Sequence, residues 1–266
     1  MSINKVLTQI AKENKKAFIP YITAGDPDLK GTEIFIKALI SSGASVIELG
    51  VPFSDPIADG VTNQKSAERA LKNNISLNDI LDFIGDLRKK DITIPFVLFT
   101  YYNPLLRMGL ENFAKKAQEK GCNGVLVVDL PPEASKEYKK ILDRHNLETI
   151  FLASPTTIKE RLEIIDESSS AFVYYVSRAG VTGTQQKVSE TLKDEIDNIK
   201  KVIKKPIAVG FGISTPEQAK EISTYADAII IGSALVKMIE DGEGSNIEET
   251  AKKIYDFSKS IVDAIK

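Results

Sequence analysis

Short apolar runs alternate eight times with longer segments of helical periodicity along this chain. Some runs, such as Gly-Val-Leu-Val-Val at 124–128, are continuously apolar, which is typical of parallel strands covered on both faces. The pattern predicts strands at 17–22, 46–49, 95–101, 124–129, 148–153, 171–177, 206–210 and 227–232. It predicts helices at 2–14, 29–42, 63–72, 77–90, 110–120, 132–144, 158–168, 188–204, 216–225, 233–240 and 247–265.

Eight successive strand–helix units in about 250 residues fit an α/β fold of the TIM (β/α)8 barrel type. An open, doubly wound sheet is the competing architecture. We expect an N-terminal helix before the first strand and short extra helices after the second and eighth strands. No linker, low-complexity segment or glycine-rich fingerprint after the first strand interrupts the pattern, so we expect one domain over residues 1–266.

The composition argues against several classes of function. The chain has 266 residues, of which 42% are hydrophobic and 27% charged, and its formal net charge of -2 offers no electrostatic footprint for nucleic acid or an anionic membrane. A single cysteine cannot form a disulfide within the chain, and a single histidine argues against a zinc or other transition-metal site. No signal-like segment and no apolar window of about 18 residues is present. We therefore expect a cytoplasmic protein without a metal, nucleic acid or membrane partner.

The second predicted strand carries a carboxylate, Glu48, and the turn-rich loop after it carries another, Asp59. Strand alternation places Glu48 on the face of Val46 and Gly50, opposite to the face of Ile47. Both faces of a parallel sheet are covered, so Glu48 is expected to be buried. Burial raises the pKa of a carboxyl group toward values suited to proton transfer at neutral pH. The alternative interpretation is a buried glutamate held by a structural partner.

Two glycine-containing turns follow the seventh and eighth predicted strands. Gly212 belongs to the run Gly-Phe-Gly-Ile-Ser at 210–214, and Gly232-Ser233 opens a short helix. Glycine lets backbone N–H groups approach an anion closely, and a helix N-terminus adds partial positive charge. TIM barrels frequently hold a phosphate between these two loops, so the pair predicts a phosphate site. The lysine motif of a nucleotide triphosphate site is absent from the sequence.

The segment 177–186 after the sixth predicted strand is rich in glycine and small residues, which favours a mobile lid. We assign to this lid Arg178, Gly180, Thr182 and Gly183. Gly183 is also a candidate donor of an N–H group to the phosphate. The alternative is an ordinary surface loop.

Aromatic side chains gather at the predicted carboxyl ends of the strands, namely Tyr21, Phe99, Tyr101, Tyr174 and Phe211. Their position favours a planar or aromatic ligand above the barrel, although a role in the core stays open. His145 lies at a helix end among charged residues and is interpreted as solvated. Cys122 has no basic neighbour in sequence, which argues against a nucleophile.

Four segments of the chain together resemble one known family. They are Pro-Tyr-Ile-Thr-Ala-Gly-Asp-Pro at 20–27, Glu-Leu-Gly-Val-Pro-Phe-Ser-Asp-Pro-Ile-Ala-Asp-Gly at 48–60, Ser-Arg-Ala-Gly-Val-Thr-Gly at 177–183 and Gly-Phe-Gly-Ile at 210–213. With these motifs in order along essentially its whole length, the chain resembles the tryptophan synthase alpha subunit family, and the motif at 48–60 is highly specific. The resemblance implies a TIM barrel that cleaves indole-3-glycerol phosphate to indole and glyceraldehyde 3-phosphate, a carbon–carbon lyase reaction of tryptophan biosynthesis. It also implies a beta subunit partner, in an alpha2-beta2 heterotetramer, that carries pyridoxal phosphate and converts indole and serine to tryptophan.

The resemblance also implies roles for individual positions. Glu48 is the implied acid/base catalyst and Asp59 the implied partner of the indole N–H group. The implied phosphate site consists of Gly183, Gly212, Gly232 and Ser233, with Phe211 beside it. The implied indole pocket is lined by Tyr21, Phe99 and Tyr174. The loop of Asp59, which faces the beta subunit, and the loop 178–186 are the implied mobile segments.

Two positions depart from the family pattern. Tyr21 stands where many relatives have Phe, and Phe99 where some have Leu. Both keep an apolar wall, so the departures put the fine shape of the pocket in doubt rather than the reaction.

Three other functions stay open at this point. One is a sugar-phosphate epimerase or isomerase, although metal-dependent epimerases need several histidine ligands and this chain has one. Another is a free-standing indole-glycerol phosphate lyase. The third is a barrel that only activates a partner, which loss of Glu48 or Asp59 would have favoured, and both residues are present.

Overall fold

Eight parallel strands form a closed barrel in which each strand pairs with its neighbours in chain order and the first strand pairs with the last. The structure is a computed structural model that describes residues 2–176, 185–210 and 212–266. The strands are β1 (Ala17–Thr23), β2 (Ile47–Gly50), β3 (Phe96–Thr100), β4 (Gly124–Val127), β5 (Glu148–Ala153), β6 (Val173–Val176), β7 (Ile207–Gly210) and β8 (Ala228–Ile231). The predicted TIM barrel is therefore confirmed, and the open doubly wound sheet is excluded.

The described helices comprise one that precedes the first strand and others that lie around the outside of the barrel. They are α1 (Ile3–Lys12), α2 (Leu29–Ser42), α3 (Val61–Leu71), α4 (Leu77–Lys89), α5 (Tyr102–Met108), α6 (Leu110–Glu119), α7 (Lys136–Arg144), α8 (Lys159–Ser168), α9 (Gln185–Ile199), α10 (Pro216–Ser223), α11 (Ser233–Asp241) and α12 (Ile247–Ala264). The N-terminal helix and the extra helices after β2 and β8, which are α3 and α11, are confirmed.

Two helical segments differ from the prediction. The sequence pattern predicted no helix where α5 lies, between the third predicted strand and residue 110. Proline is tolerated in the first turn of a helix, where its missing N–H group has no partner to lose, and Gly109 ends α5 with a φ of 83°. The helix predicted at 132–144 begins instead as a single 3-10 turn, Pro132–Ala134, before α7.

Successive strand residues face opposite sides of the barrel wall, as strand alternation requires. The outward-facing Ile47 and Leu49 pack in the large core between the strands and the helices. A second core fills the barrel interior, with members such as Ile19, Val46 and Val97. Because Val46 lies in this interior core, the same alternation directs Glu48 into the barrel, as predicted.

The amino-terminal end of the barrel is closed by α1. Ile3 and Leu7 of this helix belong to the interior core. A Cβ atom at Gly124 would lie 2.6 Å from Ile3 Cδ1, so glycine at the start of β4 makes room for this plug. Glu148 fixes the helix in place by accepting hydrogen bonds from the Asn4 N–H group at 3.0 Å and the Ser2 hydroxyl at 2.9 Å. The opposite end of the barrel, at the carboxyl ends of the strands, is not closed by α1 and can hold a functional site.

None of the helices in the described ranges combines the length and the apolar character that a bilayer span requires.

Candidate functional site

A cavity of about 280 Å³ opens at the carboxyl ends of the strands. Its walls include most of the described residues that the sequence predicted for the site, namely Tyr21, Asp59, Phe99, Tyr174, Gly212, Gly232 and Ser233. Its remaining apolar lining includes Val128, Leu152, Val176, Ile213 and Ile230. The rings of Tyr21 and Phe99 meet edge to face, with their centroids 5.2 Å apart. The cavity is therefore a mainly apolar, aromatic-walled slot, with Asp59 and glycine residues at its edges.

Two glycines fix the positions of the two tyrosine rings. A Cβ atom at Gly50 would lie 2.3 Å from the Tyr21 hydroxyl oxygen, and one at Gly210 would lie 2.4 Å from the Tyr174 hydroxyl oxygen. Any larger residue at either position would displace the ring. The last residues of β2 and β7 are glycines because the rings of Tyr21 and Tyr174, which line the cavity, occupy the space that a larger side chain would need.

Glu48 lies on β2, beside the cavity wall that Tyr21 forms, and has no exposed surface. Neither of its carboxyl oxygens has a hydrogen-bond partner, and burial raises the pKa of this group to about 8. Its backbone pairs with that of Tyr21 across β1 and β2, and its charge contributes to raising the pKa values of Tyr21 and Tyr174, which are raised chiefly by burial. Glu48 is thus adjacent to two cavity walls, but it is not itself part of the lining. The predicted burial is confirmed, whereas the alternative of a structural partner finds none at either oxygen.

Asp59 is partly buried at the rim of the same cavity, on the loop between β2 and α3. Its Oδ2 accepts a hydrogen bond of 2.7 Å from the Tyr101 hydroxyl, and the Asn63 side chain also bonds the carboxylate. Burial raises the pKa of Asp59, and the bonds from Tyr101 and Asn63 act in the opposite direction. The two carboxyl groups therefore sit in unlike environments, one without partners and one with hydrogen-bond donors.

The first half of α3 is held against β1 by a chain of hydroxyl groups. Thr23 Oγ1 lies 3.3 Å from the Tyr21 hydroxyl and 2.6 Å from Ser66 Oγ, and the Ser66 hydroxyl donates to the Asn63 carbonyl at 2.8 Å. Further along α3, Arg69 forms a bidentate ion pair of 2.8 and 2.7 Å with the buried Asp26. These contacts orient the helix that follows the Asp59 loop.

The opposite edge of the cavity carries the features of an anion site. Gly232 precedes α11, whose first residue is Ser233, so the N-terminus of this helix opens into the cavity. Gly212 contributes from the loop after β7 and has a φ of 78°, which favours glycine. Backbone N–H groups and the helix dipole at this edge suit a phosphate. The predicted residues Phe211, Arg178, Gly180, Thr182 and Gly183 lie outside the described residues.

Several other polar side chains have structural roles. Asp129 accepts a hydrogen bond of 2.7 Å from the Tyr102 N–H group at the start of α5. His145 was predicted to be solvated, which is wrong, because its side chain is only 16% exposed and bridges Gln118 and Glu111 at 3.0 Å each. Cys122 is buried, and burial raises the pKa of its thiol to about 11, which disfavours the nucleophilic thiolate. Within the described ranges no cluster of three or more histidine, cysteine, aspartate or glutamate side chains is arranged to hold a metal ion.

The sequence did not predict the roles of two residues of the site. Tyr101 was interpreted as one of several aromatic wall residues, but its hydroxyl bonds Asp59 and its ring does not line the cavity. Asn63 was not singled out at all. The spacing of four residues between Asp59 and Asn63 across the start of α3 is the signal that a sequence-based search could have used.

Comparisons with known proteins agree with this geometry. A family model described as "Tryptophan synthase alpha chain" matches residues 7–266. The tryptophan synthase alpha chain of Geobacter sulfurreducens is 44% identical over 257 residues, covering 97% of this chain and 96% of the relative. The tryptophan synthase alpha chain of Arabidopsis thaliana is 41% identical over 266 residues, covering 100% of this chain and 96% of the relative.

Solved structures give the same family. Tryptophan synthase subunit alpha of Legionella pneumophila superposes with a TM-score of 0.92 at 37% identity, covering 100% of this chain and 98% of that chain. A chain from a tryptophan synthase complex of Pyrococcus furiosus superposes with a TM-score of 0.83 at 38% identity, covering 94% of this chain and 99% of that chain.

Proposed function

The chain belongs to the tryptophan synthase alpha chain family, and from this membership we propose that it cleaves indole-3-glycerol phosphate to indole and D-glyceraldehyde 3-phosphate. The family is one of carbon–carbon lyases in tryptophan biosynthesis, and the chain is an enzyme of this class. The observation that carries the proposal is Glu48, a fully buried carboxyl group without partners and with a pKa raised to about 8, next to an aromatic cavity.

The shape and polarity of the cavity support this substrate. Tyr21, Phe99 and Tyr174 offer apolar faces and edges to a planar ring of the size of indole. Gly212 and the N-terminus of α11 at Gly232 offer backbone N–H groups to the phosphate. The substrate would then lie with its ring above Glu48 and its phosphate at the far edge.

The two carboxyl groups suit the two halves of a retro-aldol cleavage. The reaction adds a proton to the indole C3 carbon, removes one from the side-chain hydroxyl, and breaks the bond between the two carbons, with its electrons returning to the indole ring. With its raised pKa, Glu48 is largely protonated at neutral pH, so it can donate the first proton and then accept the second. Asp59 at the rim, in its ionised form, would stabilise positive charge on the indole nitrogen.

Glu48 has to move to perform these steps. Its carboxyl group has no exposed surface and does not line the cavity, so a ligand resting on the cavity walls would not touch it. We propose that the side chain rotates toward the cavity when substrate binds. The absence of a hydrogen bond at either oxygen means that no such bond opposes this rotation.

The test of the lyase activity is indole release by the purified chain, compared with the variant Glu48→Gln. General acid–base catalysis contributes about 100-fold to 10,000-fold, so we expect a loss of kcat of that order with a substrate dissociation constant that is little changed. The control is Glu163→Gln, which alters a glutamate on the outside of α8. Indole release by Glu48→Gln at the wild-type rate would remove Glu48 from its proposed role. No release by the wild-type chain, either alone or with a beta subunit, would remove the function.

We also propose a beta subunit as the partner, in an alpha2-beta2 assembly, with pyridoxal phosphate bound by that partner rather than by this chain. A groove of about 980 Å³ beside the Asp59 loop supports this proposal, since its lining includes Phe53, Leu71, Ile75, Leu77, Leu106 and Met108. Ile57 on the adjoining loop is 86% exposed, which is unusual for a large apolar side chain. The groove and this loop together offer an apolar surface next to the active-site rim.

Binding of a purified beta subunit tests the partner proposal. Leu106 is 51% exposed at the groove, and Leu106→Glu places a charge on the proposed interface, so we expect at least about tenfold weaker binding in titration calorimetry. The matched control is Ile158→Glu, because Ile158 is 66% exposed next to α8, away from the groove. Equal losses in both variants, or none in either, would contradict the assignment of this surface.

Two smaller proposals complete the assignment. We propose that residues 1–266 form one domain, which is supported by α1 closing the barrel and α12 packing against α2. We propose the cytoplasm as the site of action, which is supported by the single, buried cysteine.

A further inference from the structure

Tyr101 makes two hydrogen bonds to neighbouring residues of one loop. Its hydroxyl donates to Asp59 Oδ2 at 2.7 Å, and the same oxygen accepts from the Ala58 N–H group at 2.9 Å. The phenol therefore binds the carboxylate and the backbone immediately before it. Its ring is only 3% exposed and is absent from the cavity lining, so it acts on the loop and not on a ligand.

The ring of Tyr101 is itself firmly placed. It follows the last residue of β3 and caps the start of α5, which ties its backbone to the barrel wall. The Phe53 ring packs on it with a centroid distance of 5.0 Å and an interplanar angle of 30°. Tyr101 can therefore serve as a fixed hydrogen-bonding partner for a less regular segment of the chain.

The Asp59 loop has little regular structure of its own to hold it in place. It runs between β2 and α3 without helix or strand, and much of it is exposed, including Ile57 at 86%. Asp59 is also held by the Asn63 side chain and by Gln64, whose Nε2 donates to the Asp59 carbonyl at 2.8 Å. Its own N–H group donates to the Pro56 carbonyl within the loop at 3.1 Å. The bond from Tyr101 is the described contact that ties the Asp59 carboxylate to the barrel rather than to its own helix.

We propose that Tyr101 is a positioning residue for the lyase reaction, which holds the Asp59 carboxylate at the rim of the cavity. This inference rests on the proposed function, because it assigns Tyr101 a role through Asp59. A hydrogen bond donated to a carboxylate favours its charged form, and here it opposes the burial that raises the pKa of Asp59.

The decisive variant is Tyr101→Phe, which removes the hydroxyl and retains the ring that packs on Phe53. Hydrogen bonds to charged groups are worth enough to change a rate about tenfold or more, so we expect kcat/KM for indole release to fall by at least that factor. Since the proposed mechanism uses the ionised form of Asp59, activity in Tyr101→Phe should be lost at a higher pH as the solution is acidified. We expect the acid limb of the pH profile to move upward by about one pH unit.

A direct measurement separates this effect from a general disturbance. The carboxyl carbon of Asp59 can be titrated by NMR in the wild type and in Tyr101→Phe, without substrate. The matched control is Tyr138→Phe, which removes another buried tyrosine hydroxyl, 3.4 Å from the Val125 carbonyl on the far side of β4 from the cavity. We expect the Asp59 titration to move upward only in Tyr101→Phe, with wild-type thermal unfolding confirming that the variant is folded.

A double variant tests whether Tyr101 acts through Asp59. In the background Asp59→Asn, Tyr101→Phe should have almost no further effect on the residual rate, because the carboxylate it holds is gone. An unchanged Asp59 titration in Tyr101→Phe, or a full additional loss in the Asp59→Asn background, would overturn the inference.

The failure of the proposed function would look different. If the wild-type chain releases no indole, the lyase assignment fails first. If it releases indole, depends on Glu48 and keeps the same acid limb in Tyr101→Phe, only the role of Tyr101 fails.

Discussion

Replacing Glu48 by Gln removes a buried ionisable group while leaving the shape of the side chain nearly unchanged. In the folded chain the pKa of Glu48 is raised to about 8 by burial, against an ordinary value of 4.5. Between these two values the folded protein holds a proton that the unfolded chain has released. Folding stability must therefore fall as the pH rises through this window.

The magnitude follows from the same two pKa values. Each pH unit inside the window removes about 1.4 kcal/mol from the free energy of unfolding. The loss reaches about 3 kcal/mol at pH 7 and saturates near about 5 kcal/mol above pH 8. Below the lower pKa both states are protonated and the loss disappears, so the stabilising effect of Glu48→Gln should be absent in acid and largest in alkali.

Urea unfolding of the two proteins, followed by circular dichroism from about pH 5 to about pH 9, measures this effect. The quantity to compare is the difference in unfolding free energy between Glu48→Gln and the wild type, because all other titrating groups cancel from it. The uncharged amide is also buried without partners, but this penalty does not depend on pH. A difference that stays constant within about 0.5 kcal/mol over the range would refute the reasoning, since it would mean that Glu48 is not held protonated.

Three further predictions concern the parts that support the site. Gly50→Ala should cost about 1–3 kcal/mol of unfolding free energy by pushing on the Tyr21 hydroxyl, and Tyr21→Phe in the same background should restore part of the loss in urea unfolding. Arg69→Met should cost about 3–5 kcal/mol because Asp26 is left buried and unpaired, and adding Asp26→Asn should recover much of this stability; equal stabilities of the single and double variants would contradict this account. Glu148→Gln should cost about 1–3 kcal/mol and accelerate amide exchange in α1, and unchanged exchange there would show that the helix is held by its apolar contacts alone.

The barrel was predictable because its signal is repeated. Apolar runs such as 124–128 and 228–231 each indicate a buried strand, and eight of them with helices between leave few alternatives. Alternation within β2 also predicted that Glu48 shares the interior with Val46, since a strand has only two faces. The glycine turns after β7 and β8 were predictable at the same level, because the fold determines which strand ends meet.

Contacts between side chains distant in sequence were not predictable in this way. Tyr101 and Asp59 are 42 residues apart, and no local pattern distinguishes a tyrosine that packs from one that donates to a carboxylate. His145 was misjudged for a related reason, since its partners Glu111 and Gln118 come from the preceding helix, α6. The sequence also could not predict that Glu48 is set back from the cavity lining. Strand alternation gives the face on which a residue lies but not its distance from a cavity.

The properties of Glu48 connect the stability of this fold with its proposed chemistry. The interior packing around β2 excludes water from the carboxyl group, and this same exclusion supplies the raised pKa that proton transfer at neutral pH requires. A structural hydrogen bond to the charged form would relieve the cost to folding, but it would also lower the pKa and take away the proton to be donated. Glu48→Gln should therefore be the more stable protein above neutral pH and the inactive one, whereas a role for Glu48 in folding alone would predict that the variant loses stability.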